Sequence, residues 1–302
     1  NYRITIISNR KQEKMDLEEA RLGLSKHQQT FGVDYSTADF TPTLCGLWGL
    51  RPPTQSLGRA ITAVQELGHS CFGAAGQLEK ALVFCPDAIG DVLWEDYPGD
   101  FAPLTANSEV RIKCSTVMPS VTPVCFASIF SGAPPEIHGI QAYSKPVLTV
   151  ETLFDVAAEA GKQVAIVSSN NCSIDKIFRD RKVDYFSLRN AEMSFEFTKL
   201  LLRNSDYDLI ISYDGSYDSS LHKTGGRSGE SLQAMRTSIA RFVELAGLSD
   251  AIWGGFNRLL TFTPDHGGHD NPETGRGGHG TDVYDDMVVN HFYRLRQAQP
   301  KH

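Results

Sequence analysis

The chain has 302 residues, enough for one large domain or two small ones, and a chain of that length buries about three quarters of its unfolded surface without help from a metal or disulfide. Hydrophobic residues at 41% and charged residues at 22% exclude a disordered chain, and a net charge of −7 excludes the basic footprint of a protein that holds a nucleic-acid polymer. The six cysteines are scattered with no C-x-x-C pair, as expected of reduced thiols in a cytoplasmic protein rather than of a disulfide framework.

In chain order, residues 2–8 (YRITIIS) read as a strand and the charged stretch 12–26 as a helix. No segment reads as a signal peptide, although a start at Asn1 leaves room for a trimmed leader. Residues 30–60 are rich in Thr, Gly and Pro, 61–67 are helical in pattern, and Gly68 to Gly76 is the candidate linker. This sets an amino-terminal segment, 1–78, against a main domain, 79–302. From residue 80 the chain alternates. Apolar runs at 81–85 (ALVFC), 163–168, 207–213 (YDLIISY) and 258–263 predict strands, and 124–130, 151–160, 192–203 and 230–246 predict helices. Near-continuous apolar strands between amphipathic helices predict an α/β fold, a three-layer α/β/α sandwich with a mostly parallel central sheet. Residues 114–135 carry no charge, but Pro119, Pro123, Pro134 and Pro135 rule out a membrane span.

In such a sheet, ligands bind beyond the carboxyl ends of the strands. Asp87 follows the first apolar run; Asp214, Asp218 and His222 follow the third; Asp265 and His266 follow the fourth, with His269 and His279 in the glycine-rich loop beyond. Taken singly these have plain readings, Asp87 as a cap or turn residue and Asp218 with His222 as a solvated helix face. Convergence on one edge is more than turn chemistry gives. Asp and His without Cys suit a divalent ion, zinc first and manganese second. Thr122-Pro123 before an apolar run reads as a helix start, Thr at the N-cap and Pro at the first position, an end that favours an anion or alkoxide.

The run from Met118 through Thr122, Gly132 and His138 to Ile140 resembles the nucleophile segment of the alkaline phosphatase superfamily. The likeness is to its nucleotide pyrophosphatase/phosphodiesterase and phosphonoacetate hydrolase branch. Asp218-Ser-Ser-Leu-His222 resembles that branch's D-x-x-x-H motif, and Asp265-His266-Gly267 and His279-Gly280-Thr281 its closing histidine motifs. The resemblance covers about residues 80–291, with the motifs in family order. It implies an alkaline phosphatase-like fold and two divalent metal ions, Zn2+ or else Mn2+. Asp218, His222 and His279 would hold one ion, and Asp87, Asp265, His266 and the Thr122 oxygen the other. Thr122 would then be the nucleophile toward a small-molecule phosphate ester or nucleotide, and His138 a structural residue.

Two departures accompany the resemblance. The diesterase branch places an Asn 21 residues after its nucleophile, where Tyr143 stands here, so Tyr143 with Lys145 is the candidate for altered substrate recognition. A phosphomonoesterase or phosphonate hydrolase therefore remains the alternative to a diesterase, and a non-catalytic metal-binding protein the rival from another class. Second, Asp39-Phe-Thr-Pro-Thr-Leu resembles a segment that in relatives follows the last metal histidine, which suggests a permuted element packed back onto the core.

Overall fold

The computed structural model describes residues 2–73 and 76–299, with side chains from Leu17 onward. Its strands are β1 (Tyr35–Ser36), β2 (Lys80–Pro86), β3 (Val110–Ser115), β4 (Val164–Ser169), β5 (Asp184–Leu188), β6 (Leu209–Asp214), β7 (Arg258–Phe262), β8 (His269–Asn271), β9 (Arg276–Gly278) and β10 (Val288–Arg296). Every residue of β2, β6 and β7 is buried, which is why these segments read as unbroken apolar runs. Side-chain alternation divides each central strand between two cores. From β2, Ala81, Val83 and Cys85 join Phe126, Phe130 and Phe154 on one face, while Leu82 and Phe84 join Tyr217, Phe242 and Phe262 on the other. The result is the three-layer α/β/α sandwich.

The eight-stranded sheet runs β1-β3-β10-β7-β2-β6-β4-β5, and β8 pairs only with β9 in a separate hairpin. β10 is antiparallel to both β3 and β7; the other pairings are parallel. Helices Thr122–Ser131 and Leu153–Glu159 cover the first face, and Ala191–Asn204 and Gly229–Ile252 the second. The four expected strands and the four expected helices of the main domain are all present, with ends within two residues of those expected except that the helix expected over 230–246 continues to Ile252.

Two expectations for the amino-terminal segment are corrected. Residues 2–8 are helical, the first turns of a helix spanning Tyr2–Phe31. No Gly or Pro separates them from the charged stretch, and extending an existing helix is far easier than nucleating one; each β-branched residue opposes it by only about 0.7 kcal/mol or less. Gly68 is not in a linker but inside the helix Thr62–Phe72, where a Cβ would collide with Leu47 at 2.3 Å and lie in contact with Leu295.

The helix Phe40–Trp48 lies against the Thr122–Ser131 helix, where the Thr41 hydroxyl donates to the Ile129 carbonyl at 2.6 Å. Gly132 ends the latter helix at φ 70° and accepts from Leu57 and Gly58 N–H; a Cβ there would meet Ser56 Oγ at 2.2 Å. All six cysteines are free thiols, and burial pushes Cys85, Cys114 and Cys125 well above the usual thiol range. Among the described residues no helix is long and apolar enough to cross a membrane.

Candidate active site

The site lies at the carboxyl ends of β2, β6 and β7, which the ladder holds in register, Pro86 beside Asp214 and Phe84 beside Phe262. Asp87 follows β2 directly, its N–H donating to the Asp214 carbonyl at 2.9 Å. Ala88 then turns the chain at φ 66°, a left-handed conformation rare for a residue with a Cβ. Asp265 and His266 leave β7 through Pro264. Helix Ser216–Thr224 follows β6 and carries Asp218 and His222 one turn apart on one face. The β8–β9 hairpin returns the chain so that His279 faces that helix.

Thr122 is the first residue of its helix, and the N-cap is Val121. That corrects the expected cap by one residue: the Val121 carbonyl accepts from both Val124 and Cys125 N–H at 3.0 Å. Because Thr122 caps nothing, its hydroxyl is free to face the site, 3.4 Å from Asp87 Oδ2 and 3.4 Å from His266 Nε2. Pro123 has no N–H, so the first turn offers an anion fewer donors than the sequence pattern suggests.

Two groups of ligating side chains converge here. In the first, His222 Nε2 and His279 Nε2 are 3.1 Å apart, and Asp218 Oδ1 is 3.2 Å and 3.3 Å from them. In the second, His266 Nε2 is 3.4 Å from both Asp87 Oδ1 and Asp265 Oδ2. The rings of His266 and His279 lie 4.1 Å apart, so the groups are neighbours. Each imidazole also faces a backbone carbonyl through Nδ1: His222 that of Gly277 at 3.3 Å, His279 that of Ser120 at 3.0 Å, His266 that of Gly267 at 2.8 Å. Donation from Nδ1 leaves each Nε2 lone pair aimed into the cluster, the arrangement found behind metal-ligating histidines.

The chemistry of the donor set fits divalent cations. Asp87 Oδ1, Asp218 Oδ1 and Asp265 Oδ2 are buried and receive no hydrogen bond. A buried carboxylate oxygen without a donor is costly, and a bound cation removes that cost. Electrostatics agree. Burial and then the nearby Asp218 push Asp87 up to about 7, and burial beside Asp87 raises Asp265 well above the carboxylate range. Burial alone would raise Asp218, yet the His222 and His279 imidazoles hold it below the usual range. Asp218 in turn raises His222, and raises His279 against burial, whereas burial and the adjacent His279 lower His266 to about 3.

The structure therefore brings Thr122, Asp87, Asp218, His222, Asp265, His266 and His279 to one edge. It does not bring in Tyr143 or Lys145. Tyr143 is 64% exposed, with the Lys145 ammonium 5.4 Å from its ring centre, and Lys145 Nζ donates to the Asn171 carbonyl at 3.0 Å. His269 stands apart from both groups, bound through Nδ1 to Asp286 at 2.7 Å. His138 is held between Ser128 Oγ and the Ile140 N–H, and burial lowers it to about 4, as befits a structural histidine. Sequence reasoning missed Tyr213, whose buried hydroxyl donates to Asp87 Oδ2 at 2.5 Å. It ends the apolar run YDLIISY and reads there as core; its place directly before the strand-end carboxylates was the only signal. Beside it, Ser169, Cys172, Arg189, Asn190, Tyr213 and Ser219 line an open crevice of about 510 Å³.

No protein-family model and no curated protein sequence matches the chain. Solved structures do. Phosphonoacetate hydrolase from Sinorhizobium meliloti with phosphonoformate is 21% identical, with 63% of this chain and 56% of that one covered and a TM-score of 0.47. An inactive variant of murine ectonucleotide pyrophosphatase/phosphodiesterase 5 in complex with AMP is 16% identical, with 65% and 59% covered and a TM-score of 0.50. The C-terminal periplasmic domain of a phosphoethanolamine transferase from Campylobacter jejuni is 16% identical, with 72% and 80% covered and a TM-score of 0.51. The chain spans little more than half the length of the first two. At these identities the likeness is one of fold.

Proposed function

We propose, on the premise of an alkaline phosphatase-like fold, that the chain is a metal-dependent hydrolase of phosphoric esters with Thr122 as its nucleophile. Among such enzymes it is most like a phosphodiesterase or nucleotide pyrophosphatase. The observation that carries this reading is the placement of one free hydroxyl beside two groups of Asp and His side chains with three orphaned carboxylate oxygens. Asp218, His222 and His279 would hold one divalent ion, and Asp87, Asp265 and His266 a second beside Thr122 Oγ1, with zinc preferred over manganese. Such ions lower the pKa of a coordinated hydroxyl or water and neutralise charge on phosphoryl oxygens.

Thr122 Oγ1 would attack phosphorus while Asp87 Oδ2, 3.4 Å away, is the near acceptor for its proton. The bond to the leaving oxygen breaks, the proton ends on that oxygen, and a phosphothreonine remains. Water then delivers its hydroxyl to phosphorus as the P–Oγ1 bond breaks, and its proton to Oγ1, which releases the phosphoryl product and restores the threonine hydroxyl. His222, His279 and His266, each anchored through Nδ1, would keep their ring planes fixed throughout. The crevice beside Tyr213 gives room for a small leaving group; Tyr143 and Lys145 stand outside its lining, and we assign them a recognition role only toward a substrate that extends beyond it.

A phosphomonoesterase or phosphonate hydrolase is the second reading, favoured by one observation: Tyr143 stands outward where the diesterase pattern has a phosphoryl-binding Asn. Assays of zinc-loaded protein on bis-nitrophenyl phosphate, nitrophenyl phosphate and a phosphonate ester separate the two. With the preferred substrate, Thr122→Ala should lose at least about a thousandfold in kcat while retaining its zinc. Undiminished turnover would remove Thr122 from its role, and zinc binding without turnover of any ester would favour a non-catalytic metal-binding protein.

We further propose that residues 1–78 are a permuted part of the same domain. Support comes from the Thr41 bond to the nucleophile helix and from Gly68 packing on Leu295 of β10. A soluble, cooperatively folded fragment 79–302 would refute this.

A further inference from the structure

The Tyr213 side chain touches both the Asp87 carboxylate and the helix that carries Thr122. Tyr213 is the next-to-last residue of β6, directly before Asp214, and pairs with Cys85 of β2, so its ring stands next to the strand end from which Asp87 emerges. Its hydroxyl donates to Asp87 Oδ2 at 2.5 Å, the same oxygen that faces Thr122 Oγ1. Its ring meets Phe126 edge to face, with centroids 6.0 Å apart. Phe126 lies one turn after Thr122 on the same helix.

A second observation shows that the ring's place is built. A Cβ at Gly215 would lie 2.7 Å from the Tyr213 hydroxyl and 3.1 Å from Cζ. The backbone of Gly215 has φ −91°, which any residue adopts, so the space beside the phenol rather than the chain path is what the missing side chain serves.

We propose that Tyr213 is the positioning residue of this centre. By occupying one lone pair of Asp87 Oδ2 it fixes the carboxylate's rotation, so that Oδ1, which has no donor, faces His266 and Asp265. By packing on Phe126 it sets where the Thr122 helix stands relative to that carboxylate. Groups that hold a metal ligand through its outer side typically change metal affinity by about 10–100-fold when removed. The inference rests on the metal-site reading above.

Its test is a calorimetric zinc titration in a His222→Ala/His279→Ala background, where the site of Asp87, Asp265 and His266 alone remains. Tyr213→Phe keeps the ring and removes the hydroxyl. The expected result is zinc affinity lower by about tenfold or more, with urea unfolding of the metal-free protein little changed. Gly215→Ala, with Tyr213 present, should push the ring aside and cause a comparable loss, and the two substitutions together should lose no more than the larger alone. Unchanged affinity in Tyr213→Phe overturns the proposal, as does full additivity of the two losses. If the background protein binds no zinc while Tyr213 is intact, the metal site itself is refuted, and this positioning role with it.

Discussion

Asp214 and Asp218 leave the same strand end four residues apart, and both are largely buried, yet their surroundings are opposite. Asp214 accepts from Ser216 N–H at 3.0 Å, Ser238 Oγ at 2.9 Å and Arg241 Nη1 at 2.9 Å, so its charge is balanced and its lone pairs are used. Asp218 has an oxygen with no donor, as do Asp87 and Asp265 across the cluster. One region of the sheet edge is complete as folded; the other is complete only with something bound. Buried polar groups in native proteins are almost always satisfied, so three orphaned carboxylate oxygens in one place mark a site more strongly than the presence of Asp and His alone.

The comparison breaks if the two kinds of carboxylate respond alike to loss of charge. Asp214→Asn should strand the buried Arg241 guanidinium, leaving only the exposed Glu192 to face it, and lower the unfolding free energy by roughly 3–5 kcal/mol. Asp265→Asn should leave the metal-free protein as stable or more so, because burial beside Asp87 already disfavours its charge. Urea unfolding of both variants in chelator checks this; destabilisation by Asp265→Asn equal to that of Asp214→Asn would make Asp265 a structural carboxylate.

Metal addition sharpens the same contrast. Zinc at about a hundred times its dissociation constant should stabilise the wild-type chain by about 3 kcal/mol per independent site. A chelator should reverse that shift. Asp214→Asn should keep the zinc response despite its lower baseline, and Asp218→Asn should lose part of it. Thermal melts with and without zinc supply the measurement, and an equal response in all three proteins would separate Asp218 from metal binding.

The same distinction explains what was legible in the sequence. The central strands β2, β4, β6 and β7 could be read because burial on both faces leaves them little freedom but to be apolar. β10 could not, since Asn290, His291, Arg294 and Arg296 interrupt it; inside the fold His291 Nε2 donates to the Pro264 carbonyl, and Arg294 reaches Asp250. The Asp and His residues at strand ends were visible as types at a place. Which of them is orphaned was not, because satisfaction depends on partners far along the chain: Arg241 serves Asp214 from 27 residues away, and Tyr213 reaches Asp87 across 126. A polar residue's partner is a tertiary fact, so Asp214 and Asp218 looked alike until the fold was known.

The smallest expected effect lies outside the cluster and follows from the satisfied histidines. His138 and His291 are buried neutral, and burial lowers both to about 4 from an ordinary value of 6.5. Their folded values lie below the unfolded ones, so the unfolded chain binds more protons on acidification and stability falls as pH drops from about 6.5 toward about 4. Asp39 has the opposite sign. Burial raises it to about 6 from 3.8, so the folded form takes up its proton first and regains some stability over the same window. Between about pH 7 and about pH 5.5 the two histidines together should lose somewhat over 2 kcal/mol and Asp39 return somewhat under 1, a net loss of about 2 kcal/mol. The change with pH of the urea-midpoint difference between wild type and His138→Gln, in chelator, isolates the His138 share, since the Asp and His cluster titrates alike in both proteins. His138→Gln should flatten the slope by about half of the histidine share, and a slope unchanged or steeper in the variant would show that His138 is not the buried neutral group the structure makes it.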